Sequence, residues 1–416
     1  MAENAKQRVV VVGAGVVGMS IALHLQSDGH EVVVVDRLGP GEGCSRGNAG
    51  VIETGSVLPL AAPGTLRQVP RMLLDPMGPL AIRWSYLPRL TPWLLRFVAN
   101  ARRGAYRRNA AALAAILGQA LPAYDTLLGE IQARELFRHT GWLWAYRSRR
   151  QFERDRPAHR LRREYGVRVE MLQGEAVRRA CPALTEEVES AVYLPDSAWC
   201  VEPYELVRRM VRHFVDGGGT VLNAEVRAAG FERQGVRVET ETEPLIGDRL
   251  VIAAGAWSAR LARQFGDRVP LDTERGYHCM LPEPGVATPP LPVMAAEHKF
   301  VITPMQGGLR LAGTAELAGL ERPPDYTRAE VLLRNARRLL PGLRSEGVTY
   351  WMGMRPTLPD SLPVIGPSPR DRRVFYAFGH QHLGLTLAAI TGRMTADWLA
   401  GRQPQVEMHA FRADRF

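Results

Sequence analysis

The hexapeptide Gly13-Ala14-Gly15-Val16-Val17-Gly18 constrains the fold of this chain more than any other feature. It follows a β-branched run, Arg8–Val12, and opens a segment of helical length, Val16–Ser27, whose apolar face is Val17, Ile21 and Leu25. A second valine run at 31–35 ends in Asp36. Strand, glycine turn, helix, strand and terminal acid together predict a Rossmann-type unit for a dinucleotide. Gly13 permits the tight turn, Gly15 lets backbone approach a pyrophosphate, and Gly18 lets helix and strand pack closely. The helix N-terminus, with Ala14, Val16 and Val17 around it, offers free N–H groups and partial positive charge to phosphates. Asp36 accepts from ribose hydroxyls, and its neighbour Arg37 joins the cofactor set.

The motif alone does not separate the dinucleotides. A second apolar strand, 250–253, runs into the small residues Ala254 and Gly255, which let another strand end pass close to the same ligand. A plain buried strand with a turn has the same appearance.

At 416 residues the chain has room for two or three domains. No run of about 18 apolar residues predicts a membrane-spanning helix. The N-terminus has no signal-peptide core, so a cytoplasmic chain is expected. Cys44, Cys181, Cys200 and Cys279 form no C-x-x-C pair and match no zinc spacing. The net charge is +10, carried almost wholly by arginine. The basic stretches 83–108 and 147–163 contain no nucleic-acid-binding signature. A solvated face and contact with a membrane surface both account for them.

Residues 40–64 read as a functional loop with a short helix, being rich in Gly, Ser, Pro and Asn. Residues 66–108 are an aromatic and basic excursion broken by five prolines, ending at 92–103 in an amphipathic helix. That helix suits either a membrane interface or the body of the protein. Residues 109–140 are helical, 142–146 a strand, 204–214 a helix stopped by Gly217-Gly218-Gly219, and 220–223, 236–240 and 249–253 strands. Short strands over 276–316 predict a half-exposed antiparallel sheet. A helix at 326–340, short strands at 364–365 and 374–377, and a helix at 384–400 complete the chain. The fold class is α/β with an α+β second domain. A discontinuous dinucleotide-binding domain takes 1–65, 170–258 and 345–416. An antiparallel-sheet substrate domain takes 66–169 and 259–344, with 66–108 as a membrane-contact region.

Four stretches carry a resemblance over nearly the whole chain: the N-terminal GAGVVGMSIALHLQSDGHEVVVVDR; GCSRGNAGVI with the following LPLAAPG; RGYH from Arg275; and the C-terminal MGMRPTLPDSLPVIGP with GHQHLGLTLAAITGR. Together they resemble the amine-oxidising flavoproteins (D-amino acid oxidase, glycine oxidase, sarcosine oxidase), most of all the bacterial D-amino acid dehydrogenases. The resemblance implies a Rossmann-type FAD-binding domain with an inserted substrate domain and FAD held non-covalently. It places Ser45, Asn48, Ala49 and Gly50 along the pyrophosphate and flavin edge, with Val226 near the adenine. Gly384, Leu385 and Thr386 open a helix whose N-terminus faces the flavin pyrimidine. Arg355 is implied as the substrate-carboxylate arginine, a task that suits a guanidinium, with a structural ion pair as its alternative. Where some relatives have a second arginine, this chain has Gln381 and His382. His382 is therefore a substrate-contact candidate and His380 a flavin-contact candidate, and no third ligand supports a metal. His298 and Tyr277 are candidate active-site residues, or else structural strand residues.

The implied reaction is dehydrogenation of a D-amino acid to its imine or 2-oxo acid. GHQHLGLT points first to cyclic D-imino acids such as D-proline and cis-4-hydroxy-D-proline. A broad D-alanine dehydrogenase, a sarcosine or glycine oxidase, and the flavin subunit of a hetero-oligomeric dehydrogenase stay open. Residues 66–108 resemble the membrane-associated region of D-amino acid dehydrogenases. That implies a respiratory-chain acceptor, a quinone or a carrier, and a peripheral position on the inner face of the cell membrane. The residues assign no general base.

Overall fold

A computed structural model describes residues 6–64, 78 and 80–416. Pro70, Arg71, Pro76 and Pro79 of the proline-rich excursion lie outside the described residues.

The valine runs form the centre of a six-stranded sheet. Its order is Thr220–Asn223, Glu31–Asp36, Arg8–Val12, Arg249–Ile252, Val374–Phe378 and Val364–Pro367. The first five strands are parallel and the last is antiparallel on the edge. Alternation decides which layer each valine meets. Val9, Val11, Val32 and Val34 face a layer of helices that includes Val16–Ser27, Pro203–Asp216 and Gly384–Leu399. Val10, Val12 and Val35 face the opposite layer, which is built partly on the three-stranded sheet Val226–Glu232, Gly235–Thr240 and Leu245–Gly247. Each buried valine contributes roughly 1.5–3 kcal/mol, so a strand buried on both faces is the stable place for such runs.

The second sheet has nine strands. Along its path lie Thr349–Thr357, Asp272–Leu281, Gly308–Leu317, Phe300–Met305, Val293–Ala295, Trp142–Tyr146, Ser190–Leu194 and Glu170–Gln173, with Leu80–Ile82 beside Gly308–Leu317. The strands at 170–173, 190–194 and 349–357 thus pair here and not in the six-stranded sheet, so sheet membership departs from the boundaries at 170 and 345. Nor is this sheet half-exposed. One face packs Leu143, Ala145, Val293, Ala295, Phe300, Ile302 and Leu311 against the helix Thr327–Ala336. The alternate residues Trp142, Trp144, Met294, Val301 and Ala312 turn to a large internal cavity. The sheet is buried on both sides because that cavity lies between it and the dinucleotide domain.

Two helices depart from expectation. The amphipathic helix runs Leu87–Asn100, earlier than 92–103, with Pro88 in its first turn. Arg103–Glu130 has the length and hydropathy to cross a membrane. It is divided into Arg103–Leu117 and Ala120–Glu130, and Leu113, Ile116, Leu117, Tyr124 and Leu127 sit in the same core as the helix Gly384–Leu399. Tyr124 donates its hydroxyl to the Leu385 carbonyl.

Candidate active site

The cavity measures about 1140 Å³, above the roughly 300–1,000 Å³ of a pocket for one small ligand. It runs continuously from Asp36, Arg37 and Val226 to Arg355 and His382.

The glycine turn shows what the first end accepts. A Cβ on Gly13 would stand 2.3 Å from the Ala253 carbonyl oxygen, and one on Gly18 would stand 1.8 Å from that of Gly13. These two glycines are demanded by protein packing. Gly15 is different: a Cβ there would meet only Ser45 Oγ, at 3.4 Å, so its free side faces the cavity. Ser45 Oγ accepts from the Val16 N–H at 3.0 Å. Asp36 takes the Ala14 N–H at 2.8 Å and the Leu38 N–H at 2.9 Å, which fixes the carboxylate at the rim. Arg37 stacks on Trp257, its guanidinium carbon 4.1 Å from the ring centroid.

At the other end the strand Thr349–Thr357 turns Trp351, Gly353 and Arg355 to one face. The Arg355 guanidinium lies over Gly276, where a Cβ would approach Cζ to 2.3 Å. Nη1 donates to Glu274 Oε1 at 3.0 Å and to the Thr314 carbonyl at 3.1 Å. Among the described residues no protein acceptor engages the other guanidinium nitrogens. His382 faces the same space, its Nε2 3.2 Å from Ser56 Oγ. Enclosure and the nearby Arg355 push its pKa down to about 4. His380 lies at the wall with Nε2 3.1 Å from Thr391 Oγ1, and burial pushes it down to about 3. Both imidazoles are neutral near pH 7, and their bonded nitrogens point to different partners. The helix Gly384–Leu399 begins at the cavity without a side-chain cap, leaving first-turn N–H groups and their partial positive charge there.

Of the residues expected from sequence, Gly13, Gly15, Val16, Val17, Asp36, Arg37, Ser45, Asn48, Ala49, Val226, Ala254, Gly255, Arg355, His380, His382, Gly384 and Leu385 line the cavity. Ala14, Gly18, Gly50 and Thr386 stand behind its wall. Thr386 Oγ1, for example, accepts from the Glu53 N–H at 3.1 Å. Two other candidates differ from this group, His298 in position and Tyr277 in what its hydroxyl bonds. His298 lies in the turn between the strands Val293–Ala295 and Phe300–Met305, outside the cavity, whereas its neighbour Lys299 is inside. Tyr277 borders the cavity, but its hydroxyl donates to buried Glu316 at 2.6 Å and accepts from the Asp325 N–H. That carboxylate also takes Arg83 and lies near buried Arg275, so Tyr277 belongs to a structural cluster.

Sequence reasoning missed Glu53, Ser56, Arg162, Lys299 and the Trp142 and Trp144 rings, all on the cavity wall. Arg162 Nε donates to the Gly55 carbonyl at 3.2 Å, and its guanidinium lies 4.8 Å from the Trp144 centroid. No local signal marked it among the arginines of the helix Arg149–Glu164, because its inward turn depends on packing.

A model of the FAD-dependent oxidoreductase family matches residues 8–398. The chain belongs to this family. Its sequence is 37% identical over 420 residues to a D-amino-acid oxidase of Bradyrhizobium diazoefficiens, covering 99% of both chains. It is 34% identical over 423 residues to a D-amino acid dehydrogenase of Paramagnetospirillum magneticum, covering 98% of this chain and 99% of the relative. The fold is shared with a glycine oxidase from Geobacillus kaustophilus, at TM-score 0.76, 21% identity and 99% and 100% coverage. It is shared also with an L-proline dehydrogenase from P. horikoshii, at TM-score 0.73, 18% identity and 99% and 98% coverage.

The cofactor of this oxidoreductase is FAD, and the cavity fits it. Gly15 leaves room for a pyrophosphate, the starts of the helices Val16–Ser27 and Gly384–Leu399 face inward, and the volume exceeds that of a pocket for one small ligand. Cys44 is the nearest thiol to consider for a covalent link. It donates to the Met354 carbonyl at 2.8 Å, and burial pushes its pKa up to about 11, so it stays protonated and poorly nucleophilic. Acid denaturation is therefore expected to release all flavin into the supernatant. Yellow colour retained in the precipitate would contradict this.

Proposed function

We propose that this flavoprotein is a D-amino acid dehydrogenase, with D-proline and cis-4-hydroxy-D-proline as its first substrates, and that it delivers electrons to a respiratory-chain quinone or carrier. The observation that carries the reading is Arg355, tied down by one nitrogen and open to the cavity at the others. A guanidinium so held makes a bidentate, charge-assisted pair with a carboxylate. The curated relatives named for D-amino acid oxidation support the same class.

When bound, the flavin supplies the acceptor for the hydride on the substrate Cα. The chain's own residues orient and enclose. Arg355 fixes the carboxylate, and His382 offers a neutral imidazole beside it. Trp142 and Trp144 form flat walls suited to a ring. The uncapped helix start at Gly384 stabilises negative charge developing next to it. Comparing kcat/KM for D-proline, cis-4-hydroxy-D-proline and D-alanine tests the substrate. Preference for the cyclic pair is expected, and equal values would favour a broad D-amino acid dehydrogenase.

The acceptor reading rests on the helix Leu87–Asn100. Its half-buried side chains Leu94 and Phe97 and the more exposed Val98 line the same cavity, with Leu80 and Ile82. Outside, Trp84 and Leu95 are 70% and 67% exposed, near the exposed Arg89 and Arg96. Apolar side chains among arginines suit an anionic bilayer, where each basic residue contributes about 1 kcal/mol. Peripheral attachment to the inner face of the cell membrane follows. The protein is expected to sediment with phosphatidylglycerol vesicles, and Trp84→Ser with Leu95→Ser to release it. Because one relative is named an oxidase, peroxide is the discriminating product. Slow peroxide formation with fast quinone reduction is expected, and stoichiometric peroxide would make the chain an oxidase.

A further inference from the structure

The ammonium of an amino acid carries a proton that must leave before its nitrogen can push electrons toward Cα. Arg355, a permanent cation, cannot take it. His382, Ser56 and Glu53 line the same cavity. His382 Nε2 lies 3.2 Å from Ser56 Oγ, and Ser56, whose N–H donates to the Glu53 carbonyl at 3.5 Å, brings its hydroxyl near enough to the Glu53 carboxyl to favour the charged form. Glu53 follows the short strand Val51–Ile52, which pairs with Ala198–Cys200, and its N–H is held by Thr386 Oγ1 on the last helix. Both ends of its position are therefore fixed. It is 9% exposed, lines the cavity, and forms no ion pair within 4 Å among the described residues.

We propose that His382, Ser56 and Glu53 form a proton relay that takes the ammonium proton of the bound substrate, with Glu53 as its end point. The proposal rests on the amino acid reading above. One imidazole nitrogen accepts the substrate proton while Nε2–H passes its own to Ser56 Oγ, whose hydroxyl proton goes to Glu53. The carboxylate becomes a carboxylic acid and the substrate a neutral amine. The neutral amine could then push electrons toward Cα, and a bound oxidised flavin would supply the acceptor for the hydride and its electron pair, leaving the substrate as an iminium. The Glu53 proton returns to solvent when product leaves.

The charges around the relay suit this order. Burial pushes the Glu53 pKa up to about 8, and Arg162, whose Nε donates to the Gly55 carbonyl two residues along, opposes that rise. Beyond Arg162 lie His159, kept neutral by burial and by the nearby cations, and Lys299, whose pKa burial lowers; burial, with help from Arg355, keeps His382 neutral. A group whose pKa lies near the working pH is an effective proton acceptor. Its carboxylate form is the competent one, so the rate should rise as pH climbs through about 8.

The test is stopped-flow reduction of the bound flavin by D-proline across pH, in the full-length holoenzyme and in Glu53→Gln, Ser56→Ala and Ser56→Thr. Wild type is expected to gain rate through pH 8. Glu53→Gln is expected to lose about 10²-fold at neutral pH and to follow the titration of the free amine instead. Ser56→Ala should behave similarly, and Ser56→Thr should restore the wild-type profile. Infrared spectra supply a reading apart from turnover: a protonated-carboxyl band that titrates near pH 8 and is missing from Glu53→Gln. An unchanged pH profile in Glu53→Gln, or no such band in wild type, overturns the relay and leaves the dehydrogenase reading standing. If no D-amino acid reduces the wild-type flavin at any pH, the substrate reading fails first and the relay with it. If Glu53→Gln does not fold, the Ser56 pair and the wild-type infrared titration decide.

Discussion

Arg355→Ala is expected to lower kcat/KM for D-proline roughly 30- to 5,000-fold, equivalent to about 2–5 kcal/mol, with FAD content unchanged. The guanidinium is cationic, rigidly held and partly unengaged at once. Its Nη1 is committed to Glu274 and the Thr314 carbonyl, so the side chain is oriented before substrate arrives. Truncation loses the pair and that orientation together. Arg355→Lys keeps the charge but not the planar fork, and should recover only part of the loss. A second consequence has a fixed sign. Arg355 helps to hold the His382 pKa down, so in Arg355→Ala the pKa of His382 rises, and NMR titration of the imidazole would show it. Normal kinetics in Arg355→Ala would reduce Arg355 to a structural ion pair with Glu274.

Gly18→Ala and Gly15→Ala are expected to fail in different ways. At Gly18 the added methyl would stand 1.8 Å from the Gly13 carbonyl oxygen, a backbone atom that cannot turn aside. Helix and strand must then separate, and overpacking of this kind costs roughly 1–3 kcal/mol or more. Thermal unfolding of the apoprotein should therefore move to lower temperature. At Gly15 the new methyl meets only Ser45 Oγ, at 3.4 Å. The apoprotein should keep its stability while FAD affinity falls, because the methyl occupies the approach to the pyrophosphate. Equal apoprotein melting for the two variants would contradict the division of labour among these glycines.

The dinucleotide end was legible because its information is local. Strand, turn, helix and acid follow one another within 29 residues, and each residue type answers a backbone requirement that sequence displays. The substrate end is different. Arg355 was found only through resemblance, because its role depends on the strand Asp272–Leu281 and on Gly276, which leaves space for its guanidinium. Glu53 follows a recognised stretch by one residue, yet nothing in the sequence says that it is buried. Its environment comes from Arg162, Ser56 and Thr386, which are far apart along the chain. His298 and Lys299 are adjacent, and a turn decides which of them reaches the cavity. The second sheet misled for the same reason. Strands broken by glycine and proline read as half-exposed, while the actual sheet has a helix on one face and the cavity on the other.

The central claim, an FAD enzyme whose Arg355 presents the α-carbon of a D-amino acid to the flavin, is tested most directly by mixing the purified yellow protein with D-proline under anaerobic conditions. Rapid loss of the flavin absorbance with D-proline and not with L-proline is the predicted result. A protein that binds FAD and is bleached by neither D-proline, cis-4-hydroxy-D-proline, D-alanine nor sarcosine would contradict it.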